Sequence, residues 1–314
     1  MLAAECASAY KRRRRAFTVG SSTIVSVLRA LRPHQWVKNL LVFVPLLAAH
    51  GAGDTDLLLR AALAFAAFSL CASSVYVLND LLDLEHDRAH PTKRSRPFAS
   101  GALAPSAGWI LAPALLVAAL VLAGFTDRGF LALLVAYFLA TLAYSLHVKR
   151  VPVLDVIVLA GLYTIRLYSG SVAVDVPVSD WLATFSMFLF LSLALVKRTG
   201  ELRRYADNGD PGAMAGGRGY ASSDLAQLSM LGVASGYISV LVLALYLSSD
   251  HVTTLYTHPR RLWLLCPLAL YWTGRLWFLA SRAVVHDDPV VFALRDRVSW
   301  VVLVGAALIV VAAS

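Results

Sequence analysis

The chain reads as an all-α polytopic membrane protein, with nine transmembrane helices around a central cavity that opens to the cytoplasm. Three observations predict the helices and their orientation, and the cavity is what the family resemblance described below implies. Of its 314 residues, 59% are hydrophobic and 15% charged, with a mean hydropathy of +0.68. A soluble domain is nearer half apolar and a quarter charged. The apolar residues gather in runs of roughly 16 to 25, the length that crosses a bilayer as a helix. Lys and Arg fall almost entirely between alternate runs, as the positive-inside rule requires of a multi-pass protein.

The runs can be taken in order. The first is short, Trp36 to His50, approached by an interfacial helix around Val25 to Leu31. The others are Leu57 to Leu82, Ala107 to Phe125, Phe130 to Leu146, Val153 to Val174, Trp181 to Val196, Leu225 to Leu247, Leu262 to Ser281 and Val298 to Ala313. With the N-terminus inside, the inner segments hold twenty-two Lys and Arg and the outer loops only Arg128, Arg260 and Arg261. This predicts the inner or plasma membrane, with the N-terminus and the chemistry on the cytoplasmic side. The inner loops are also the long, charged ones. The segment Ala206 to Ser223, rich in Gly and polar residues, reads as a mobile loop that caps a site or as a plain linker.

Residues 1–22 form a basic cytoplasmic tail, and 23–314 a single intramembrane domain. The block Lys11 to Arg15 suits anionic lipid. No soluble domain accompanies it, so nucleic acid is not an expected partner. Cys6, Cys71 and Cys266 are scattered without metal-like spacing. No phosphate-binding Gly-rich loop follows a strand, and no nucleophilic triad is visible.

The chemistry concentrates between Val75 and Gly101. There the second run ends in Asn79, Asp80, Asp83 and Asp87, and a basic segment with Arg88, Lys93, Arg94 and Arg96 follows at once. On a helix Asn79, Asp83 and Asp87 recur every four residues, and Asp80, Asp83 and Asp87 every three or four. Close carboxylates repel unless a cation sits among them, and hard oxygen ligands suit Mg²⁺. Neighbouring Lys and Arg suit phosphate oxygens. The plain alternative is a solvated acidic helix end beside a basic loop. Other inner segments add Tyr144, Lys149 and Asp155, then Lys197, Arg198 and Glu201. Lys38 and Asn39 stand at the mouth of the first run, where Lys38 also suits a membrane anchor. Arg166 falls at membrane depth, where charge is costly and faces an interior or an ion-pair partner. Asp287 and Asp288 suit a cap for a helix after Pro289.

Asn79-Asp80-x-x-Asp83-x-x-x-Asp87 resembles the first acidic motif of the UbiA-type intramembrane prenyltransferase superfamily, and Tyr144-x-x-x-x-Lys149-Arg150 resembles its second inner loop. The resemblance covers nearly the whole chain. Arg32-Pro33-x-Gln35-Trp36-x-Lys38-Asn39, Asp87-Arg88-x-His90-Pro91-x-Lys93-Arg94-x-Arg96-Pro97 and Lys197-Arg198-x-Gly200-Glu201-Leu202 are similar to its decaprenyl-phosphate phosphoribosyltransferase branch. Ordinary prenyltransferases of the superfamily carry a second Asp-x-x-x-Asp motif where this chain has Lys197, Arg198 and Glu201.

The resemblance implies Mg²⁺-dependent transfer of 5-phosphoribose from phosphoribosyl diphosphate to a polyprenyl (decaprenyl) phosphate, releasing diphosphate, for cell-wall arabinan precursors. It implies Asn79, Asp83 and Asp87 as metal ligands, with Asp80, Asp83 and Asp87 as the catalytic acids. Lys38, Arg88, Lys93, Arg94, Arg96, Tyr144, Lys149, Arg166, Lys197, Arg198 and Glu201 become substrate contacts, and a homo-oligomer is compatible. The alternative within the superfamily is transfer of a prenyl group from a prenyl diphosphate to an aromatic or other acceptor. A transporter would spread charge through the membrane depth and repeat its halves. This sequence does neither.

Overall fold

The structure, a computed structural model, describes residues 23–49, 51–90, 92–207, 219–249, 252, 256–285 and 288–314. The basic block Lys11–Arg15, most of the Gly-rich loop and Asp287 lie outside them.

The described residues are helical almost throughout. Helix α1 covers residues 23–31. A 3-10 helix, Pro33–Phe43, leads into α2, Val44–Ala48. Then come α3 (Thr55–Leu82), α4 (Leu84–Ala89), α5 (Pro105–Gly124), α6 (Arg128–Leu146) and α7 (Leu154–Val174). The last are α8 (Asp180–Asp207), α9 (Leu225–Leu247), α10 (Leu265–Ser281), α11 (Pro289–Arg295) and α12 (Arg297–Ala313). Short polar side chains start several of them, accepting backbone N–H groups that a first helical turn leaves unpaired. Asp54 Oδ1 accepts from Asp56 N and Leu57 N at 2.9 and 3.2 Å. Asp127 Oδ1 accepts from Gly129 N and Phe130 N, and Ser179 Oγ from Leu182 N. Asp288 caps α11 through Val290 N, as the sequence predicts, and Asp296 caps α12 through Ser299 N.

Among the described residues seven helices are long and apolar enough to cross a membrane, or up to eight if α11 and α12, bent by 85°, count as one span. The sequence predicts nine. The difference falls on Trp36–His50, which folds mainly as 3-10 helix and reaches only five residues of α-helix in α2. Hydropathy reports that a run is apolar, not which helix it winds. The run Trp181–Val196 instead extends, because α8 continues as helix through Lys197, Arg198 and Glu201 to Asp207.

The fold divides into two compact units. One comprises residues up to Asn39 together with Ala62–Phe138, the other Leu40–Ala61 together with Leu139–Ser314. In the first, Ala30, Val77, Leu81, Phe98, Leu103 and Ala112 form a buried cluster. Several polar groups of this unit are paired: Trp36 Nε1 donates to Ser73 Oγ at 3.0 Å, Ser73 Oγ to Leu31 O at 2.8 Å, and Asn39 Nδ2 to Ser69 Oγ at 3.1 Å. In the second, α7, α8, α9 and α10 pack around Val156, Tyr163, Phe190, Leu195, Leu228 and Trp277. Close approach there depends on glycine. A Cβ on Gly170 would stand 2.1 Å from Val42 O, and one on Gly232 2.0 Å from the Trp277 ring.

Candidate active site

In the first unit, α3 ends at Leu82, Asp83 stands between helices, and α4 begins at Leu84. The turn still carries helix-like bonds, Asp83 N to Asn79 O at 2.9 Å and Asp87 N to Asp83 O at 2.8 Å. Asp80 and Asp87 are buried, at 2% and 0% exposure. Asp83 and Asn79 are half-buried. One guanidinium joins the buried acids: Arg96 Nη1 donates to Asp80 Oδ1 at 3.1 Å and to Asp87 Oδ2 at 2.6 Å. Arg32 Nη2 donates to Asp80 Oδ1 at 2.5 Å, and its guanidinium lies 5.1 Å from the centre of the Tyr76 ring. Charge-assisted pairs this short are the strong kind.

Each acid keeps one oxygen in reserve. Asp80 Oδ2 and Asp87 Oδ1 are buried with no hydrogen-bond partner among the described residues. Leaving a buried carboxylate oxygen unsatisfied is costly, so the pair asks for a cation. Two hard anionic oxygens fit Mg²⁺, which is typically held by one or two carboxylates, with water and substrate phosphate completing its shell. Among the described residues no group of three or more His, Cys, Asp or Glu gathers to hold a metal.

The basic segment follows on a short 3-10 turn, Lys93–Ser95. His90 Nδ1 receives Thr92 N and Lys93 N at 3.3 and 3.4 Å. Lys93 is half-buried and Arg94 exposed. Arg88 is exposed and pairs with Glu85 at 2.8 Å. Lys38 is half-buried.

In the second unit, Arg198 is buried in a closed network. Nε donates to Asp155 Oδ2 at 2.5 Å, Nη1 to Glu201 Oε2 at 2.6 Å and Nη2 to Tyr144 OH at 2.5 Å. Tyr220 OH donates to the other Asp155 oxygen at 2.5 Å. Burial, then this hydrogen bond, push the Tyr220 phenol above the ordinary tyrosine range, so it remains a donor at physiological pH. Lys197 Nζ lies 3.6 Å from Asp288 Oδ2, and Tyr163 OH donates to Asp288 at 3.2 Å. Arg166 is buried at membrane depth, donates to Leu162 O and faces the Tyr163 ring. Lys149 is half-buried on the 3-10 turn Val148–Arg150.

The structure thus brings Asp80, Asp87 and Arg96 together, and separately Tyr144, Arg198 and Glu201. Three participants were absent from the sequence-predicted set. Arg32 was visible only within a motif. Asp155 was named in the sequence only as a neighbour of Lys149, and it pairs with Arg198. Tyr220 left no signal, because its partners are 65 and 67 residues away.

A family model described as the UbiA prenyltransferase family matches residues 40–292. The chain belongs to this family. It is accordingly a transferase-family, multi-pass membrane protein. A UbiA homologue from Archaeoglobus fulgidus, solved bound to DMAPP and Mg²⁺, shares the fold with a TM-score of 0.68 at 17% identity, over 91% of this UbiA chain and 99% of that one. The nodulation protein NoeC of Azorhizobium caulinodans is 37% identical over 89% of the chain and 90% of its own length. An uncharacterized protein, y4nM of Sinorhizobium fredii, is 40% identical over 87% of the chain, which spans about half (53%) of that relative. Decaprenyl-phosphate phosphoribosyltransferase of Mycolicibacterium smegmatis is 39% identical over 57% of the chain and 58% of its own length.

Proposed function

We propose that this UbiA-family protein transfers 5-phosphoribose from phosphoribosyl diphosphate to a polyprenyl phosphate at the cytoplasmic face of the membrane, releasing diphosphate. The buried Asp80–Asp87 pair, joined by Arg96 and left with one unpartnered oxygen on each acid, carries the reading. The decaprenyl-phosphate phosphoribosyltransferase relative supports the choice of donor, and Lys197, in the stretch where the resemblance expects a second acidic motif, favours a donor with an extra phosphate.

Asp80 and Asp87 would hold Mg²⁺ through their unpartnered oxygens, with Asn79 and Asp83 on the same turn beside them. When bound, the metal neutralises charge on the departing diphosphate. Arg96 orients both acids, and Arg32 fixes Asp80 from the other side. Lys93 and Arg94, with Arg88, take phosphate oxygens. In the second unit, Lys149 and Lys197 have the same task, and Arg198, whose nitrogens all have protein partners, holds Tyr144 and Glu201. Arg166 steadies Tyr163, and Lys38 steers the lipid phosphate. The acceptor is already an anion at neutral pH, so no strong base is needed, and catalysis is positioning plus electrostatics.

Transfer of a prenyl group from a prenyl diphosphate is the second reading, favoured by the DMAPP-bound relative of the same fold. Membranes containing the protein, given labelled phosphoribosyl diphosphate or labelled prenyl diphosphate with a polyprenyl phosphate or an aromatic acceptor, decide between them. A labelled lipid formed from phosphoribosyl diphosphate alone supports the proposal. Label transferred only from the prenyl diphosphate overturns it.

A further inference from the structure

Val153 connects the Val148–Arg150 turn to α7 with φ 66° and ψ −47°. Leu154 N donates to Pro152 O at 2.7 Å, closing a three-residue γ-turn of the rare, strained kind. A β-branched residue is poorly suited to positive φ, and glycine would sit there relaxed. Strain of this sort persists only where surrounding contacts over-determine it.

The contacts come from Tyr220. Its hydroxyl accepts from Val153 N at 2.7 Å and donates to Asp155 Oδ1 at 2.5 Å, so one oxygen ties two residues on either side of Leu154. The preceding residue is pressed against the same turn: a Cβ on Gly219 would stand 2.6 Å from Arg150 O and 2.8 Å from Pro152 Cδ. The other Asp155 oxygen takes Arg198 Nε, and the two remaining Arg198 nitrogens take Glu201 and Tyr144. The phenol therefore fixes two things at once. It holds the turn that joins the Lys149 segment to α7, and it sets the direction of the guanidinium that orders Tyr144 and Glu201.

We infer that Tyr220 is a positioning residue, which clamps the strained Val153 turn and so sets this unit's affinity for diphosphate oxygens. The inference rests on the diphosphate chemistry proposed above, which phosphoribosyl and prenyl donors share. It does not depend on which of them is used.

The test uses the purified full-length chain in detergent, with Mg²⁺ and inorganic pyrophosphate as the probe. Tyr220→Phe keeps the ring and removes the clamp. Amide exchange in segment 148–156 should accelerate, and pyrophosphate affinity should fall about tenfold, the scale of one well-made hydrogen bond. The double variant Tyr220→Phe/Val153→Gly should regain affinity to within about threefold of the parent, because glycine holds the turn without a clamp. Unchanged exchange overturns the clamp. Faster exchange with unchanged affinity, absence of pyrophosphate binding to the parent, or no recovery in the double variant overturns the positioning role. If Tyr220→Phe does not fold, Gly219→Ala, whose methyl would push against the Arg150–Pro152 turn, gives the same two readings. Failure of labelled phosphoribosyl transfer would strike the donor and leave these readings standing. Failure of these readings removes Tyr220 and leaves the donor.

Discussion

Arg96 serves two buried carboxylates with a single guanidinium. Removing it strands Asp87 and leaves Asp80 with Arg32, and an uncompensated buried charge of this kind costs about 3–5 kcal/mol. Arg96→Met should therefore lower the melting midpoint sharply, and Mg²⁺ should restore more of it than in the parent, since a cation then replaces the lost partner. Equal Mg²⁺ shifts in both proteins would argue that no metal reaches Asp80 and Asp87. Asp87→Asn makes the complementary prediction. Mg²⁺ at about a hundred times its Kd should stabilise the parent by about 2.7 kcal/mol, and the variant by much less, read as the midpoint shift between Mg²⁺ and EDTA. The sequence made the acidic turn legible as a set of residues, because helical spacing groups Asp80, Asp83 and Asp87. It did not reveal which two are buried. That is decided by Arg32 and Arg96, which reach Asp80 from 48 and 16 residues away. Likewise Arg198 looks like a free phosphate-binding base in the sequence, whereas its nitrogens have Asp155, Glu201 and Tyr144 as partners.

Helices whose apolar runs begin and end at charged residues were legible almost to the residue. Leu225–Leu247 matches the run read from sequence, and Thr55–Leu82, Arg128–Leu146 and Leu154–Val174 differ from theirs only at the start, by one or two residues. Two elements were not. The apolar run ends at Val196, yet α8 continues to Asp207, because helix formation on the polar side needs only good helix formers and capped ends. The 3-10 helix Pro33–Phe43 is longer than such helices usually run, and no sequence period distinguishes it from α-helix over so short a stretch. Close packing around its end gives a sharp prediction. Gly170→Ala places a methyl against Val42 O, a backbone atom that cannot swing aside, and should cost at least about 1–3 kcal/mol of stability. Gly161→Ala, on the same helix with open space around it, should be neutral or slightly stabilising. Thermal midpoints of the two variants check this, and equal shifts would contradict the close approach. At the 85° bend, Arg275 holds Asp296 through two bonds of 2.7 and 2.9 Å, while Asp296 also caps α12. Asp296→Ala should cost more than the loss of an N-cap alone, about 1 kcal/mol, because it also removes the carboxylate that pairs with Arg275. A melting loss no larger than that of an ordinary cap would show that the pair contributes nothing.

For the molecule as a whole, most of its spans were readable from composition and hydropathy and the family from the motifs at Asn79–Asp87 and Tyr144–Arg150, while the direction of insertion rests on charge. Twenty-two Lys and Arg on one set of segments against three on the other predict that a cysteine placed at Glu85 reacts with a membrane-impermeant thiol reagent only from the cytoplasmic side, and one at Arg128 only from the opposite side. Labelling of Glu85→Cys from outside would invert the topology and put the acidic turn out of reach of a cytosolic donor. The central claim is that Asp80 and Asp87 serve Mg²⁺-dependent transfer from phosphoribosyl diphosphate to a polyprenyl phosphate. Its most direct measurement is the rate of labelled lipid formation in membranes bearing the parent, Asp80→Asn or Asp87→Asn, with Mg²⁺ or with EDTA. The account predicts a labelled, Mg²⁺-dependent lipid product from the parent, none with EDTA, and at least about a hundredfold loss in each variant, the scale of removing an electrostatic contact to the transition state. Product that forms equally in EDTA, or in Asp87→Asn at the parent's rate, would contradict it.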